Sequence, residues 1–266
     1  MLSRLRGLEH GALLGALKPG PRVRAGLRRV ADAVLPPMSL DGRAAMEAGL
    51  SPEAWAKLVF LEAPVCDGCG APFDSHLAPV GLRCAACVAK PFAFARARAA
   101  CVYDEASRDL ILKFKHADRV DLARTFARWL GRAAADLLAE ADAVAPVPLH
   151  PSRLARRRYN QAAEIARPVA RAAGLAYLPD ALIRGRATDS QGEKSGSGRR
   201  RNVQGAFAVT EAGRRQIKGR RILLIDDVLT TGATAEACAK ALMAAGARCV
   251  DLAVVARVPG RDEAPI

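Results

Sequence analysis

Two stretches of the chain hold residue types whose spacing can do chemistry. The first is the twelve residues from Leu223 to Thr234. An apolar run ends there in two adjacent carboxylates, Asp226 and Asp227, and passes through a small polar turn into helical spacing. Five consecutive amides, of Thr230, Thr231, Gly232, Ala233 and Thr234, can converge on an anion at a helix N-terminus, where peptide dipoles favour negative charge. Gly232 lets the backbone approach the anion closely, and the threonine hydroxyls add donors. Two carboxylates just ahead of that point suit the paired hydroxyls of a ribose, so a sugar phosphate would span the whole stretch. Two competing uses are weaker. A strand ending in Asp also holds magnesium in P-loop nucleotide hydrolases, but no G-x4-G-K-[ST] occurs in the chain. A simple helix cap at Asp227 or Thr230 would explain one residue and leave the rest of the run without a reason.

The second stretch is cysteine. Cys66 and Cys69 form one C-x2-C pair and Cys84 and Cys87 another, with 14 residues between them. A hairpin spans that gap, and Gly68 and Gly70 allow a tight knuckle whose amides point at sulfur. Four thiolates around one tetrahedral ion suit zinc, with iron as the alternative occupant, and leave no open position, so the site is structural. Seven cysteines are an odd number, which argues against a disulfide framework and for a reducing, cytoplasmic compartment. Cys101, Cys238 and Cys249 fall in strand or helix patterns and read as small core residues.

Positioning these groups takes a scaffold, and the pattern after residue 96 supplies one. Strand character at 99–103, 142–148, 181–183, 203–209, 221–226 and 249–256 alternates with helical spacing at 107–115, 122–139, 151–173 and 233–245. That alternation predicts an α/β fold built on a mostly parallel sheet flanked by helices. The segment 36–95 is rich in Gly and Pro, too short for much core of its own, and contains the paired cysteines. Residues 1–35 form a basic N-terminal arm that Pro36 and Pro37 end. It reads as a helical arm, with contact to a membrane surface or nucleic acid as its other use. Residues 184–201 carry six Lys and Arg against Asp189 and Glu193, a composition no packed element would choose.

Charge and hydropathy bound the function further. Of 266 residues, 41 are Lys or Arg and 27 Asp or Glu, leaving a net charge of +14 that favours phosphate-bearing partners. No apolar run approaches the roughly 18 residues of a spanning helix, so no membrane span is expected. Aromatic residues make up only 5% of the chain, too few to suggest a stacking platform for single strands. No pattern sets an oligomeric state, and His116 and His150 stand isolated, without the neighbours of a general base.

The stretch 223–234 resembles the phosphoribosyl pyrophosphate (PRPP) binding motif of type I phosphoribosyltransferases. The rest of the chain is similar to the ComF family of competence-associated proteins. That likeness is carried by Pro146-Val147-Pro148, Arg158-Tyr159-Asn160-Gln161, Phe114 to Arg119, Gln191 and the run Arg199 to Phe207, and it covers residues 36–259. It implies a type I phosphoribosyltransferase fold over 96–259, preceded by a small zinc-ribbon module. Asp226 and Asp227 would be the catalytic carboxylates on the ribose hydroxyls, and residues 230–234 the cradle of the 5-phosphate. The Val147–Pro148 turn would present amides to the diphosphate, through a non-trans peptide if the prolines impose one. Lys115, Arg158 and Arg199 would neutralise the leaving group, and magnesium would arrive with PRPP. The loop 184–201 would be a lid or a nucleic-acid contact, its bland counterpart being a solvated linker.

The resemblance also exposes a departure. The resemblance implies two ribbons in many relatives, whereas here Ser39, Gly42, Ser51 and Ala54 stand where the first ribbon's cysteines would be expected. One structural zinc is therefore expected. The activity implied is transfer of phosphoribosyl to an unspecified acceptor with release of pyrophosphate, in the setting of DNA uptake. The alternative is a non-catalytic competence protein that uses the scaffold to bind single-stranded DNA or the DNA-uptake machinery.

Overall fold

The structure is a computed structural model, and it describes residues 50–74, 77–116, 119–185 and 205–259. The basic arm, Ser39 and Gly42 of the first ribbon, most of the loop 184–201 with Gln191 and Arg199, and the side chain of His116 lie outside the described residues.

Five strands form one sheet: β1 (Ala97–Val102), β2 (Ala143–Pro146), β3 (Ala176–Tyr177), β6 (Arg221–Leu229) and β7 (Cys249–Arg257). Their order is β1-β7-β6-β2-β3, and every pairing is parallel. A separate antiparallel hairpin pairs β4 (Leu182–Arg184) with β5 (Phe207–Val209). The central strands are apolar throughout: Ile222, Leu223, Leu224 and Ile225 on β6, and Leu252 to Ala256 on β7, are essentially inaccessible to solvent. Parallel strands covered on both faces need that composition.

The helices are α1 (Pro52–Ala56), α2 (Ala85–Ala89), α3 (Glu105–His116), α4 (Leu122–Ala133), α5 (Ala135–Glu140), α6 (Pro151–Arg157), α7 (Gln161–Ala173), α8 (Glu211–Ile217) and α9 (Ala233–Ala244). From β2 the chain crosses by α6 and α7 to β3 on one side; from β6 it crosses by α9 to β7 on the other. Right-handed crossovers in opposite directions put α7 and α9 on opposite faces. The carboxyl ends of β2 and β6 thus flank a topological switch point, the crevice where open α/β sheets bind ligands. No helix among the described residues is long and apolar enough to cross a membrane.

Several elements differ from expectation for local reasons. The helix expected over 151–173 breaks in two. Arg158 turns left-handed (φ 65°) to close α6, and Asn160 caps α7 by accepting the Ala162 amide at 3.1 Å. The helix expected over 122–139 bends at Ala134 into α4 and α5. Strand β3, two residues long, and helix α8 are too short to leave a periodic signature.

The segment before β1 packs on the sheet. Leu61 donates to Ala100 and Val102 to Val59, while Phe60 bridges Cys101 in antiparallel sense. Ring contacts then run from Trp55 and Phe60 through Trp129 and Phe126 to Phe114 and Tyr159, at centroid distances of 4.8–6.0 Å. Phe114 is fully buried in this row, which anchors the end of α3 and with it the neighbouring Lys115.

Candidate functional site

Strand β6 carries Asp226 and Asp227 to the carboxyl edge of the sheet and then releases the chain into residues 230–232 before α9 begins. Gly232 is left-handed (φ 75°) and precedes the helix without a side-chain cap. Among the described residues, none of the amides of Thr230, Thr231, Gly232, Ala233 and Thr234 donates a hydrogen bond. Five consecutive donors without a protein partner at a helix N-terminus are an arrangement that suits an anion, with Thr230 open to solvent and Gly232 and Ala233 buried. Gly232 is also sterically fixed: a Cβ there would lie 2.6 Å from Cε1 of Phe92.

The carboxylates sit in different environments. Asp227 Oδ2 lies 2.9 Å from Lys115 Nζ, both side chains half-buried, so the Lys115 expected at the site does reach it. Asp226 accepts the Asp227 amide at 2.8 Å. Burial, and then the like charge of Asp227, push the Asp226 carboxyl well above the usual carboxylate range, against the pull of that amide, Lys115 and Arg184.

Across the switch point, β2 ends at Pro146, in register with Ile225. Here the structure alters the expected roles. The Val147 amide donates to Ile225 O at 2.9 Å, and its carbonyl accepts Asn160 Nδ2 at 3.0 Å. Pro148 has no N–H. Neither residue has an amide to offer a diphosphate, and the peptide bonds at Pro146 and Pro148 are trans. The first amide of this loop without a partner among the described residues is that of Leu149. Arg158 is exposed at the end of α6, beyond this loop. His150 is structural: its Nδ1 accepts the Ser152 amide and caps α6.

Three residues at the site escaped the sequence. Arg184 lies on the hairpin, nearly buried, with its guanidinium 5.2 Å from the Phe207 ring centre and its charge felt at Asp226. Burial, with the positive charge of Arg153 behind it, lowers its pKa. Glu236, in the first turn of α9, accepts the Ala93 amide at 2.6 Å, and Phe92 packs on Gly232. Arg184 was hidden at the edge of a basic run, and the other two have no local pattern to reveal them.

The four paired cysteines come together. All four Sγ atoms lie within 4.8 Å of one another, and Cys69 and Cys84 are 3.9 Å apart. Sulfurs bound at about 2.3 Å around a tetrahedral ion sit about 3.8 Å from each other, so the donor set fits a metal ion. The Cys84 amide points at Cys66 Sγ at 3.2 Å. The Cys69 thiol, followed by the Cys84 and Cys69 amides, lowers the Cys66 pKa against its burial. Its hydrogen bond to Cys66 raises Cys69, and burial, then the Cys66 charge, raises Cys87. One thiolate thus suppresses the next, a conflict that a cation relieves. A Cβ on Gly68 would lie 2.9 Å from Cys87 Cβ, so the knuckle needs that glycine. Cys101 and Cys238 are buried as expected, and Cys249 is half-buried.

Residues 160–266 match the phosphoribosyl transferase domain. Competence protein F of Haemophilus influenzae is 31% identical over 188 residues, 69% of this chain and 80% of that protein. The chain belongs to the ComF family. The DNA utilization protein YhgH of Escherichia coli K12 is 30% identical over 195 residues, 71% of this ComF chain and 82% of that protein. YhgH of Salmonella typhimurium is 30% identical over 203 residues, covering 74% and 86%. Among solved structures, the glutamine PRPP amidotransferase of B. subtilis matches 54% of this chain and 30% of its own, at 21% identity and a TM-score of 0.37. The type I phosphoribosyltransferase fold of this ComF chain rests on the domain match and the parallel sheet.

Proposed function

We propose that the switch-point crevice binds PRPP with magnesium and transfers its phosphoribosyl group to an acceptor, releasing pyrophosphate. The observation that carries this reading is the row of five partnerless amides at 230–234, one residue beyond β6 and its two carboxylates. Residues 230–234 hold the 5-phosphate, and Asp226 and Asp227 accept hydrogen bonds from the 2- and 3-hydroxyls of the ribose. Lys115 and the Leu149 amide face the diphosphate, and Arg158 and Arg199 are the further cations assigned to its neutralisation. In the reaction the bond from C1 to the diphosphate oxygen breaks, the bond from C1 to the acceptor forms, and the acceptor loses a proton. Positive charge develops on the ribose as in glycoside transfer, so a fixed carboxylate pair beneath it is favourable. Magnesium brought with PRPP would supply charge neutralisation at the leaving diphosphate, with Asp226 and Asp227 the nearby carboxylates of this chain. Zinc is the fitting occupant of the closed cysteine site.

The names of the relatives, competence protein and DNA utilization protein, bring a setting in competence and DNA utilization to this chain. A second reading, binding of single-stranded DNA without catalysis, is favoured by one observation: α6 and its cap present Arg156 and Arg158 to solvent beside Arg153 and Arg157. Incubation with PRPP and magnesium across a panel of nucleobase and amine acceptors separates the two. Pyrophosphate release lost in Asp227→Asn supports transfer. Steeply salt-dependent DNA binding, unchanged by PRPP and without pyrophosphate release, supports the second.

A further inference from the structure

The cysteine site and the proposed phosphate cradle are joined by one short segment and by one side chain of β7. After α2 the chain reaches Phe92, which packs on one side against the four-cysteine cluster and on the other stacks with Phe94 at 4.5 Å. The edge of the Phe92 ring fills the space that a side chain on Gly232 would need. The next amide, that of Ala93, donates to Glu236 Oε2 at 2.6 Å, while Lys240 Nζ holds Glu236 Oε1 at 2.8 Å. A third link comes from Arg257, nearly buried on β7 and in register with Leu229, whose Nη2 lies 3.9 Å from Cys69 Sγ.

Helix α9 holds the end of the cradle, since Gly232 O accepts the Glu236 amide at 2.8 Å and Ala233 and Thr234 are its first residues, but the amides of the turn ahead of it have no partners. That turn is therefore set in part from outside. We propose that the metal-loaded cysteine knuckle positions the phosphate cradle through Phe92 and Glu236, so that metal binding and 5-phosphate binding favour each other. Phe92 sets the left-handed turn at Gly232. The Ala93 amide and Lys240 occupy both oxygens of Glu236, keeping a carboxylate in the first turn of α9 from repelling the incoming phosphate. Without the metal, the thiols no longer fix the segment that carries Phe92 and Ala93, and both restraints loosen. Phe92 and Glu236 are positioning residues in this account, which rests on reading 230–234 as the phosphate site. Linkage makes the effect reciprocal: whatever factor metal adds to phosphate affinity, phosphate adds to metal affinity.

The test is a calorimetric titration of the zinc-loaded full-length protein with ribose 5-phosphate. Wild type, Phe92→Leu and Phe92→Ala are compared, with zinc content and amide NMR spectra recorded on the same samples. Phe92→Ala is expected to keep its zinc and a dispersed spectrum, to shift signals of 230–236, and to bind at least about fivefold more weakly. Phe92→Leu is expected to fall between, and carries the comparison alone if the alanine variant unfolds. In wild type, saturating ribose 5-phosphate is expected to slow zinc transfer to a chelator. Unchanged affinity in a folded Phe92 variant, or equal zinc transfer with and without ligand, overturns the coupling and leaves the phosphate site standing. Failure of wild type to bind ribose 5-phosphate overturns the phosphate site, and the coupling with it.

Discussion

Asp226 is where function and stability pull apart. Its folded-state pKa lies above the unfolded one, so the folded chain binds the extra proton between the two, and stability falls as pH rises from the usual carboxylate range towards neutrality. Asparagine cannot ionise and escapes that loss. Asp226→Asn is therefore expected to raise the melting temperature more at about pH 8 than at about pH 5, with about 2–4 °C for each kcal/mol in a chain of this size. A thermal melt series in both proteins checks this, and an equal gap at both pH values contradicts the burial account. Gly232→Ala puts a left-handed alanine against Phe92, and the backbone term alone costs about 1–2 kcal/mol. It should lower the urea midpoint and weaken PRPP binding by about tenfold or more, read by denaturation and by calorimetry. At this scale the sequence was most legible where chemistry is local: the carboxylate pair, Gly232 and the cysteine spacing all stand in contiguous runs. Phe92, Glu236 and Arg184 were not legible, because the contact between Ala93 and Glu236 spans 143 residues and only the fold creates it.

The loop after β2 and the α6–α7 break act as one element. Asn160 caps α7 with Oδ1 and ties down Val147 O with Nδ2, so a single side chain fixes both the helix start and the turn facing the cradle. Asn160→Ala loses the cap, worth about 1 kcal/mol, and leaves a buried carbonyl unpaired at a further cost of about 1–3 kcal/mol. Chemical denaturation is expected to show that loss, and Asn160→Asp, which keeps the cap but not the amide donor, is expected to show only part of it. Equal stability in all three proteins contradicts the double role. The parallel sheet was legible because its strands are long apolar runs. The helix break at 158–160 was not, since apolar spacing continues across it and a left-handed arginine has no signature in composition. The Pro146–Pro148 turn was read for its rigidity, but its amide had already been taken by Ile225.

At the scale of the whole molecule, the net charge of +14 and the single described cysteine cluster set the expectations. Metal analysis of the purified chain is expected to return about one equivalent of zinc, the number one closed four-sulfur site holds. Two equivalents contradict the loss of the first ribbon. Stripping that zinc is expected to lower the melting temperature, because the knuckle is tied to the sheet through the Asp67–Arg98 pair at 2.7 Å and through Arg257 beside Cys69. Sheet order and the partnerless amides at 230–234 both support the place proposed for the ligand. The most direct measurement is a calorimetric titration of PRPP with magnesium into wild type and into Asp226→Asn/Asp227→Asn. Saturable binding to wild type, lost or weakened by about a hundredfold in the double variant, is the expected result at about 1.4 kcal/mol per tenfold. No binding to wild type, or equal binding to both, contradicts the assignment of this crevice to PRPP.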